Sequence, residues 1–187
     1  VERIPWIPQY GISYVVGVDG ISLWLLMLTT FIMPITILSA YAAVERHVKE
    51  FLVFMLILTT AMVGVFVATD LFLFYVFWEL MLIPMYLLIG VWGSANRLYA
   101  TIKFFVYTFV ASVLMLVAIL YVYFHDGRSF DYVTARQALQ VTAEAQRWLF
   151  LAFAVAFAVT EITEFALRRE LLQRGAAISH VVALSAG

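Results

Sequence analysis

The chain has 187 residues, of which 65% are hydrophobic and 12% charged, and its mean hydropathy of +1.01 is typical of an integral membrane protein. Its net charge of -1 leaves no basic stripe to neutralise phosphates, so a nucleic-acid partner is not expected. The absence of cysteine removes disulfides, thiolate chemistry and cysteine-ligated zinc or iron-sulfur sites from this chain.

The N-terminal segment VERIPWIPQYGISYVVG mixes aromatic residues, prolines and glycines, which is typical of a segment at a membrane interface. No basic stretch or small-residue cleavage site precedes the first long apolar run, so the sequence predicts an internal fragment and no signal peptide. Residues 21–43 are uncharged and long enough to cross a hydrocarbon core of about 30 Å. Asp19 suits the N-cap of this predicted helix, and Pro34 is expected to kink it.

Residues 51–93 are apolar apart from Asp70 and Glu79. A single helix of that length would measure about 64 Å, roughly twice the hydrocarbon thickness, so the chain must turn. Thr69-Asp70 is the natural corner and divides the stretch into helices at 51–69 and 71–92. Asp70 would then cap the second helix, and Glu79 would lie close to the bilayer midplane.

The C-terminal half predicts two further membrane helices, separated by an extramembrane loop at 125–147. Turn residues at 93–96 precede a helix at 98–124, and the loop contains a short amphipathic helix at about 132–145. The run WLFLAFAVAFAV has alternating alanines that would also fit a strand, but an isolated strand leaves its backbone unsatisfied in lipid. We therefore expect a helix at 148–167 and, for the whole chain, an all-α transmembrane bundle of about five helices with Pro-kinked members, forming a single domain.

The distribution of lysine and arginine predicts the orientation of this bundle. The loops that join the first helix to the second and the third to the fourth are basic, as is the C-terminal tail, and should face the cytoplasm. The basic residues on that side are Arg46, Lys49, Arg97, Lys103, Arg168, Arg169 and Arg174, against Arg3, Arg128, Arg136 and Arg147 on the other. The N-terminus is therefore predicted to lie outside.

Glu79 is the candidate functional residue, because a charged group near the bilayer centre costs at least about 2.5 kcal/mol on insertion scales. Tyr75 and Tyr86 share its helix face and would orient water molecules beside it. Pro84 cannot donate to the carbonyl of Leu80 and so leaves an acceptor next to Glu79, where water can bind. The pattern indicates a group that takes up and releases a proton, or alternatively a buried structural carboxyl that holds helices together.

Lys103 lies within an apolar stretch, flanked on its own helix face by Tyr99 and Tyr107. It is close enough to the predicted cytoplasmic surface for its ammonium to reach the headgroups, and a role in proton relay is equally open. Glu79 and Lys103 should differ in height by about 6 Å, which favours a water bridge over a direct ion pair.

Other kinds of chemistry find no support in the sequence. His47, His125 and His180 are isolated, so no metal or haem site is expected. No phosphate-binding glycine loop, nucleophile elbow or zinc helix is present, and a stand-alone hydrolase or transferase is not expected.

The stretches DGISLWLLMLTT, LFLFYVFWELMLIPMYLLIGVWG and KFFVYTFVASVLMLVAIL closely resemble the antiporter-like subunits of respiratory NADH:quinone oxidoreductase, or complex I, in the family of chain M and NADH dehydrogenase subunit 4. The resemblance runs from about Trp6 to Val159. It implies that the five helices match helices three to seven of a fourteen-helix proton-translocating subunit in a bacterial inner membrane. It also implies that Glu79 matches the family's essential glutamate on its fifth helix and that Lys103 matches a lysine of the sixth.

The same resemblance implies that other membrane subunits of complex I and the lipid bilayer are the partners. FMN, iron-sulfur clusters and quinone would be bound by partner subunits, with no cofactor and no redox chemistry in this chain. Related modules occur in multi-chain cation/proton antiporters and membrane-bound hydrogenases, and a truncated, non-pumping structural paralogue is a further alternative.

After Val159 the sequence departs from the family pattern. Thr160 occupies the place of a central lysine, and Glu161 and Glu164 follow with the opposite charge. Because the segment also lacks the family's later broken helices, it is not expected to complete a proton path by itself.

Overall fold

A computed structural model describes residues 1–41, 44, 46–93, 96–125, 129–133, 144–159 and 162. A β-hairpin precedes a series of helices, and the described part of the chain confirms the helical membrane bundle. The elements are β1 (Glu2–Ile7), a 3-10 turn (Pro8–Tyr10), β2 (Ile12–Val16), α1 (Gly20–Tyr41), α2 (Val48–Val67), α3 (Leu71–Trp92), α4 (Arg97–His125) and the helical residues 144–159, here α5. Within these residues, α1 to α4 are long and apolar enough to cross a membrane.

The chain turns between α2 and α3 at the corner that the sequence predicts. α2 begins three residues earlier and ends two residues earlier than the predicted helix at 51–69. Residues 144–159 are helical rather than extended, and α5 begins within the predicted loop at 125–147. Most of the predicted amphipathic helix, the end of the predicted helix at 148–167, and Thr160, Glu161 and Glu164 lie outside the described residues.

The β-hairpin was not predicted from the sequence, which indicated only an interfacial segment. β1 and β2 pair antiparallel, with an irregularity between Pro5 and Ile7. Gly11 completes the turn with φ of 68°, a left-handed conformation that glycine adopts without steric cost. Prolines and aromatic residues obscured a strand pattern that the β-branched residues of β2 would otherwise have indicated.

The hairpin closes one end of the bundle through backbone hydrogen bonds. Gly17 donates to the carbonyl of Val67 at 2.8 Å, and Thr69 donates to that of Val15 at 3.0 Å. Leu71 donates to the carbonyl of Phe130, and Tyr132 donates to that of Thr69. We call this region, made of the hairpin, the α2–α3 corner and residues 129–133, the capped end. Its contacts satisfy backbone groups that helix termini leave open.

Both predicted N-caps are confirmed. Asp19 accepts hydrogen bonds from the backbone N–H groups of Ile21 and Ser22. Asp70 accepts from Phe72 and Leu73 at the start of α3. Each carboxylate thereby satisfies donors that the first helical turn cannot pair internally.

Two apolar clusters hold α3 and α4 together. The larger joins the capped end to the middle of the bundle, where Met115 and Ile119 of α4 are fully buried. Its other buried members are Ile12, Ala111, Tyr123, Phe130 and Ala156. The smaller lies nearer the opposite end and consists of Leu82, Ala100 and Phe104. The middle of α3 is therefore fixed against α4 from both sides.

The predicted cytoplasmic end is held by Trp92. Its indole N–H donates to the carbonyl of Arg46 at 2.8 Å. The rings of Phe51 and Phe54 pack edge-on against it. This contact ties the end of α3 to the segment before α2.

Candidate functional site

Glu79 lies in the middle of α3, where the helix packs against α4. Its side chain is partly buried, and the Oε1 atom is fully buried. No residue in the described part of the chain donates a hydrogen bond to Oε1. A buried polar atom without a partner is destabilising by about 1–3 kcal/mol, so its presence calls for an explanation other than stability.

Tyr75 is the side chain that the structure brings to Glu79. Its hydroxyl lies beside the Glu79 carboxyl and interacts with it, and also interacts with the hydroxyl of Ser112 on α4. Ser112 is only 1% exposed. The three groups form a polar cluster, Glu79–Tyr75–Ser112, in otherwise apolar surroundings.

The local sequence explains how this cluster forms. Glu79 and Tyr75 are one helical turn apart, so both point to the same side of α3. The Tyr75 ring packs against the cluster that contains Ala111 and Met115 of α4. Ser112 donates to the carbonyl of Phe109 at 2.9 Å, which leaves its lone pairs free to accept a hydrogen bond.

Pro84 is buried within α3, which continues through it. Because proline has no N–H, it gives no hydrogen bond to the carbonyl of Leu80, adjacent to Glu79. The carbonyl of Leu80 therefore lacks the backbone donor that a residue other than proline would supply at position 84.

The remaining predicted residues occupy different surroundings. Tyr86 is 40% exposed and packs edge-on against Phe105, and Tyr107 is 50% exposed. The Lys103 ammonium lies 5.4 Å from the centre of the Tyr99 ring, within the range of a cation–π contact. Tyr99 is one turn nearer the predicted cytoplasmic end, a direction that suits a side chain reaching for the headgroups.

A second acidic group lies at the capped end. Asp70 is 1% exposed and also accepts from the backbone of Ser13. Burial raises the pKa of Asp70, the three backbone donors lower it, and the nearby charge of Asp131 raises it further. Arg3 of β1 forms an ion pair with Asp131.

Ser112 was not among the residues selected from the sequence. A serine in an apolar helix is common and carries no charge, so its residue type gives little signal. Its position across from Tyr75 depends on how α3 and α4 pack.

Among the described residues, no three His, Cys, Asp or Glu side chains are grouped so as to hold a metal ion.

Comparison with known proteins identifies the family of this chain. Residues 68–167 match the family described as "NADH:quinone oxidoreductase/Mrp antiporter, TM". Residues 5–67 match "NADH-ubiquinone oxidoreductase chain 4, amino terminus". The chain belongs to this family of membrane subunits. The first match continues to residue 167, beyond Val159, where the sequence was expected to depart from the family.

Individual relatives agree with this assignment. NADH-quinone oxidoreductase subunit M of Rhodobacter capsulatus is 49% identical over 170 residues, covering 85% of this chain and 33% of the relative. Respiratory complex I from Thermus thermophilus with bound NADH contains a chain with a TM-score of 0.72 and 34% identity, over 84% of this chain and 32% of that one. The chain thus spans about a third of the length of the relatives that it matches.

A third comparison concerns the fold alone. The membrane-bound sulfane sulfur reductase, an archaeal respiratory membrane complex, matches with a TM-score of 0.61 at 23% identity, over 84% of this chain and 25% of that one. The helix arrangement is therefore shared by respiratory membrane complexes of more than one kind.

Proposed function

We propose that the chain is part of a proton-translocating, antiporter-like membrane subunit of an NADH:quinone oxidoreductase, and that Glu79 is a group that carries the proton. The observation that supports this most directly is the buried Oε1 of Glu79, which no described residue satisfies. A carboxyl kept only for stability would be expected to have its hydrogen bonds filled. A carboxyl that must gain and lose a proton needs an oxygen atom that no hydrogen bond from the protein already occupies.

Quinone reduction and proton transport would then be coupled across subunits. FMN, iron-sulfur clusters and quinone would be bound by partner subunits, and this chain would carry out no redox chemistry. Its partners would be the other membrane subunits of complex I and the lipid bilayer. The identity to the Rhodobacter subunit favours a bacterial inner membrane as the location.

Lys103 would connect Glu79 onward through water. Lys103 is partly buried, and its ammonium beside Tyr99 would be near enough to the predicted cytoplasmic end to exchange protons there, with a charge that responds to that of Glu79. Tyr86 and Tyr107 would contribute to proton transfer through bound water or through neighbouring helices rather than by direct contact with Glu79.

A cation/proton antiporter subunit is the second candidate, because the matched family includes Mrp antiporters. The two candidates differ in what should purify with the chain. A complex with flavin and iron-sulfur absorbance supports the oxidoreductase, and a complex without either supports the antiporter.

The test is Glu79→Gln in the full parent complex, reconstituted in vesicles. We expect proton pumping per quinone reduced to fall at least tenfold, while the amount of assembled complex stays within about twofold. The matched control is Asp70→Asn, the same acid-to-amide change at the N-cap of the same helix, where pumping per assembled complex should be unchanged. Normal pumping in Glu79→Gln would refute the proposal, and lost assembly with normal pumping per complex would indicate a structural carboxyl.

A further inference from the structure

Ser112 and Tyr75 lie next to the proposed proton-carrying group, and neither has an evident role in packing alone. Ser112 is buried on a helix that its hydroxyl is not needed to stabilise, since serine bonded to its own helix backbone is neutral to slightly destabilising. Tyr75 places a phenol in an apolar cluster where phenylalanine would pack as well. Both hydroxyls therefore need an explanation.

We infer that Tyr75 and Ser112 are positioning residues, and that they form a hydrogen-bond switch which gives the Glu79 carboxyl a hydrogen-bond partner in both of its charge states. The inference rests on the proposed function of Glu79. It gives Tyr75 on α3 a defined role and adds Ser112 on α4 to the site. The juxtaposition of these three groups across the α3–α4 contact carries the inference.

The chemistry follows from counting donors and acceptors. A phenol has one hydrogen to donate and an oxygen that accepts, and a serine hydroxyl is similar. When Glu79 is ionised, Tyr75 donates its hydrogen to the carboxylate. When Glu79 is protonated, the acid O–H donates to the Tyr75 oxygen, and Tyr75 turns its hydrogen to the Ser112 oxygen.

Ser112 can serve as that acceptor because its own hydrogen is already used. Its hydroxyl donates to the Phe109 carbonyl at 2.9 Å, and this bond is the same in both states. Only the O–H group of Tyr75 rotates, and no proton leaves Tyr75 or Ser112. The single proton gained or lost is that of Glu79, which exchanges with water.

The energetic consequence is a smaller free-energy difference between the ionised and the protonated state of Glu79. Without the switch, one state would leave a buried donor or acceptor unpaired, at a cost that slows proton exchange. With it, the hydrogen bond to Glu79 reverses direction instead of being lost.

The experiment compares Tyr75→Phe and Ser112→Ala in the full complex with Thr108→Val as the matched control. Thr108 is also buried on α4 and donates to the backbone of its own helix, at the carbonyl of Phe104. Infrared difference spectra between high and low pH report the C=O stretch of protonated Glu79, assigned by its disappearance in Glu79→Gln. Pumping per quinone reduced is measured in the same preparations.

We expect the C=O band to move to higher frequency in Tyr75→Phe and Ser112→Ala, because the protonated acid loses its hydrogen-bond chain, and to stay in place in Thr108→Val. Pumping should fall about tenfold in Tyr75→Phe and about threefold in Ser112→Ala, the size of one lost hydrogen bond or less. Ser112→Thr, which keeps the hydroxyl, should restore the band position.

The outcomes separate the inference from the function on which it rests. An unmoved band in Tyr75→Phe or Ser112→Ala, or an equal shift in Thr108→Val, overturns the switch even when Glu79→Gln abolishes pumping. Normal pumping in Glu79→Gln instead refutes the function. If Ser112→Ala lowers only thermal stability, Ser112 has a structural role and the inference is wrong.

Discussion

Asp70 caps the start of α3 and Glu79 lies in its middle, and the two acids differ in how their oxygens are hydrogen-bonded. Asp70 is more deeply buried, yet it accepts hydrogen bonds from the backbone N–H groups of Phe72, Leu73 and Ser13. Glu79 has a buried oxygen that no described residue satisfies. Burial alone therefore does not distinguish the two acids, whereas the number of satisfied oxygens does.

The difference has a simple origin in helix geometry. The first turn of α3 has backbone N–H groups with no partner in the helix, and Asp70 stands where it can accept from them. In the middle of α3 the backbone donors are already used within the helix, so Glu79 depends on side chains or water.

The largest predicted effect comes from a substitution that displaces α3, the helix that Asp70 caps and that carries Glu79. A Cβ atom at Gly64 of α2 would overlap the ring of Phe77, which precedes Glu79 on α3. Gly64→Val should therefore force the two helices apart, lower stability by about 1–3 kcal/mol, and impair both the capped end and the Glu79 site. Thermal unfolding of the purified complex measures the loss.

The matched control for this change is Gly20→Val at the start of α1, where an added Cβ meets no neighbouring atom. A second substitution, Phe77→Ala, should recover part of the stability lost in Gly64→Val by providing space. Equal melting temperatures for the two glycine variants would show that α2 and α3 are not held by this contact.

A smaller effect, confined to one of the two acids, is expected from Asp70→Ala. Removing the cap leaves the first-turn donors of α3 unsatisfied and should lower stability by about 1–2 kcal/mol. Pumping per assembled complex should be unchanged, because Asp70 lies outside the Glu79 cluster. This pattern is the reverse of that expected for Glu79→Gln, and a loss of pumping in Asp70→Ala would remove the distinction between the two acids.

The smallest expected effect is on pH dependence. Burial raises the pKa of Asp70 in the folded protein above its ordinary value of about 3.9. The folded state therefore binds this proton more tightly than the unfolded state, and the associated stability is fully present below about pH 3.9 and is lost as pH rises through the raised pKa. Melting temperatures measured against pH should show this decline in the wild type relative to Asp70→Asn; parallel curves would contradict it.

Much of this protein follows from residue order alone. Apolar runs of membrane-spanning length define α1 to α4, and the acids at 19 and 70 mark helix starts, because these features depend on local spacing and on backbone donors within a few residues. Glu79 is identifiable in the same way, since an ionisable group in an apolar helix contrasts with its surroundings. The motif around it identifies the family.

The tertiary structure decided the rest. The hairpin depends on pairing between β1 and β2 and on docking at the α2–α3 corner, and its prolines and aromatic residues hid the strand pattern. Tyr75 was distinguished from Tyr86 only by packing, since both share a helix face with Glu79 and both contact α4, but Tyr75 lies beside Glu79 and Ser112 whereas Tyr86 packs against Phe105. Ser112 lies at the site because α3 and α4 pack closely, and no local sequence pattern encodes the distance between two helices.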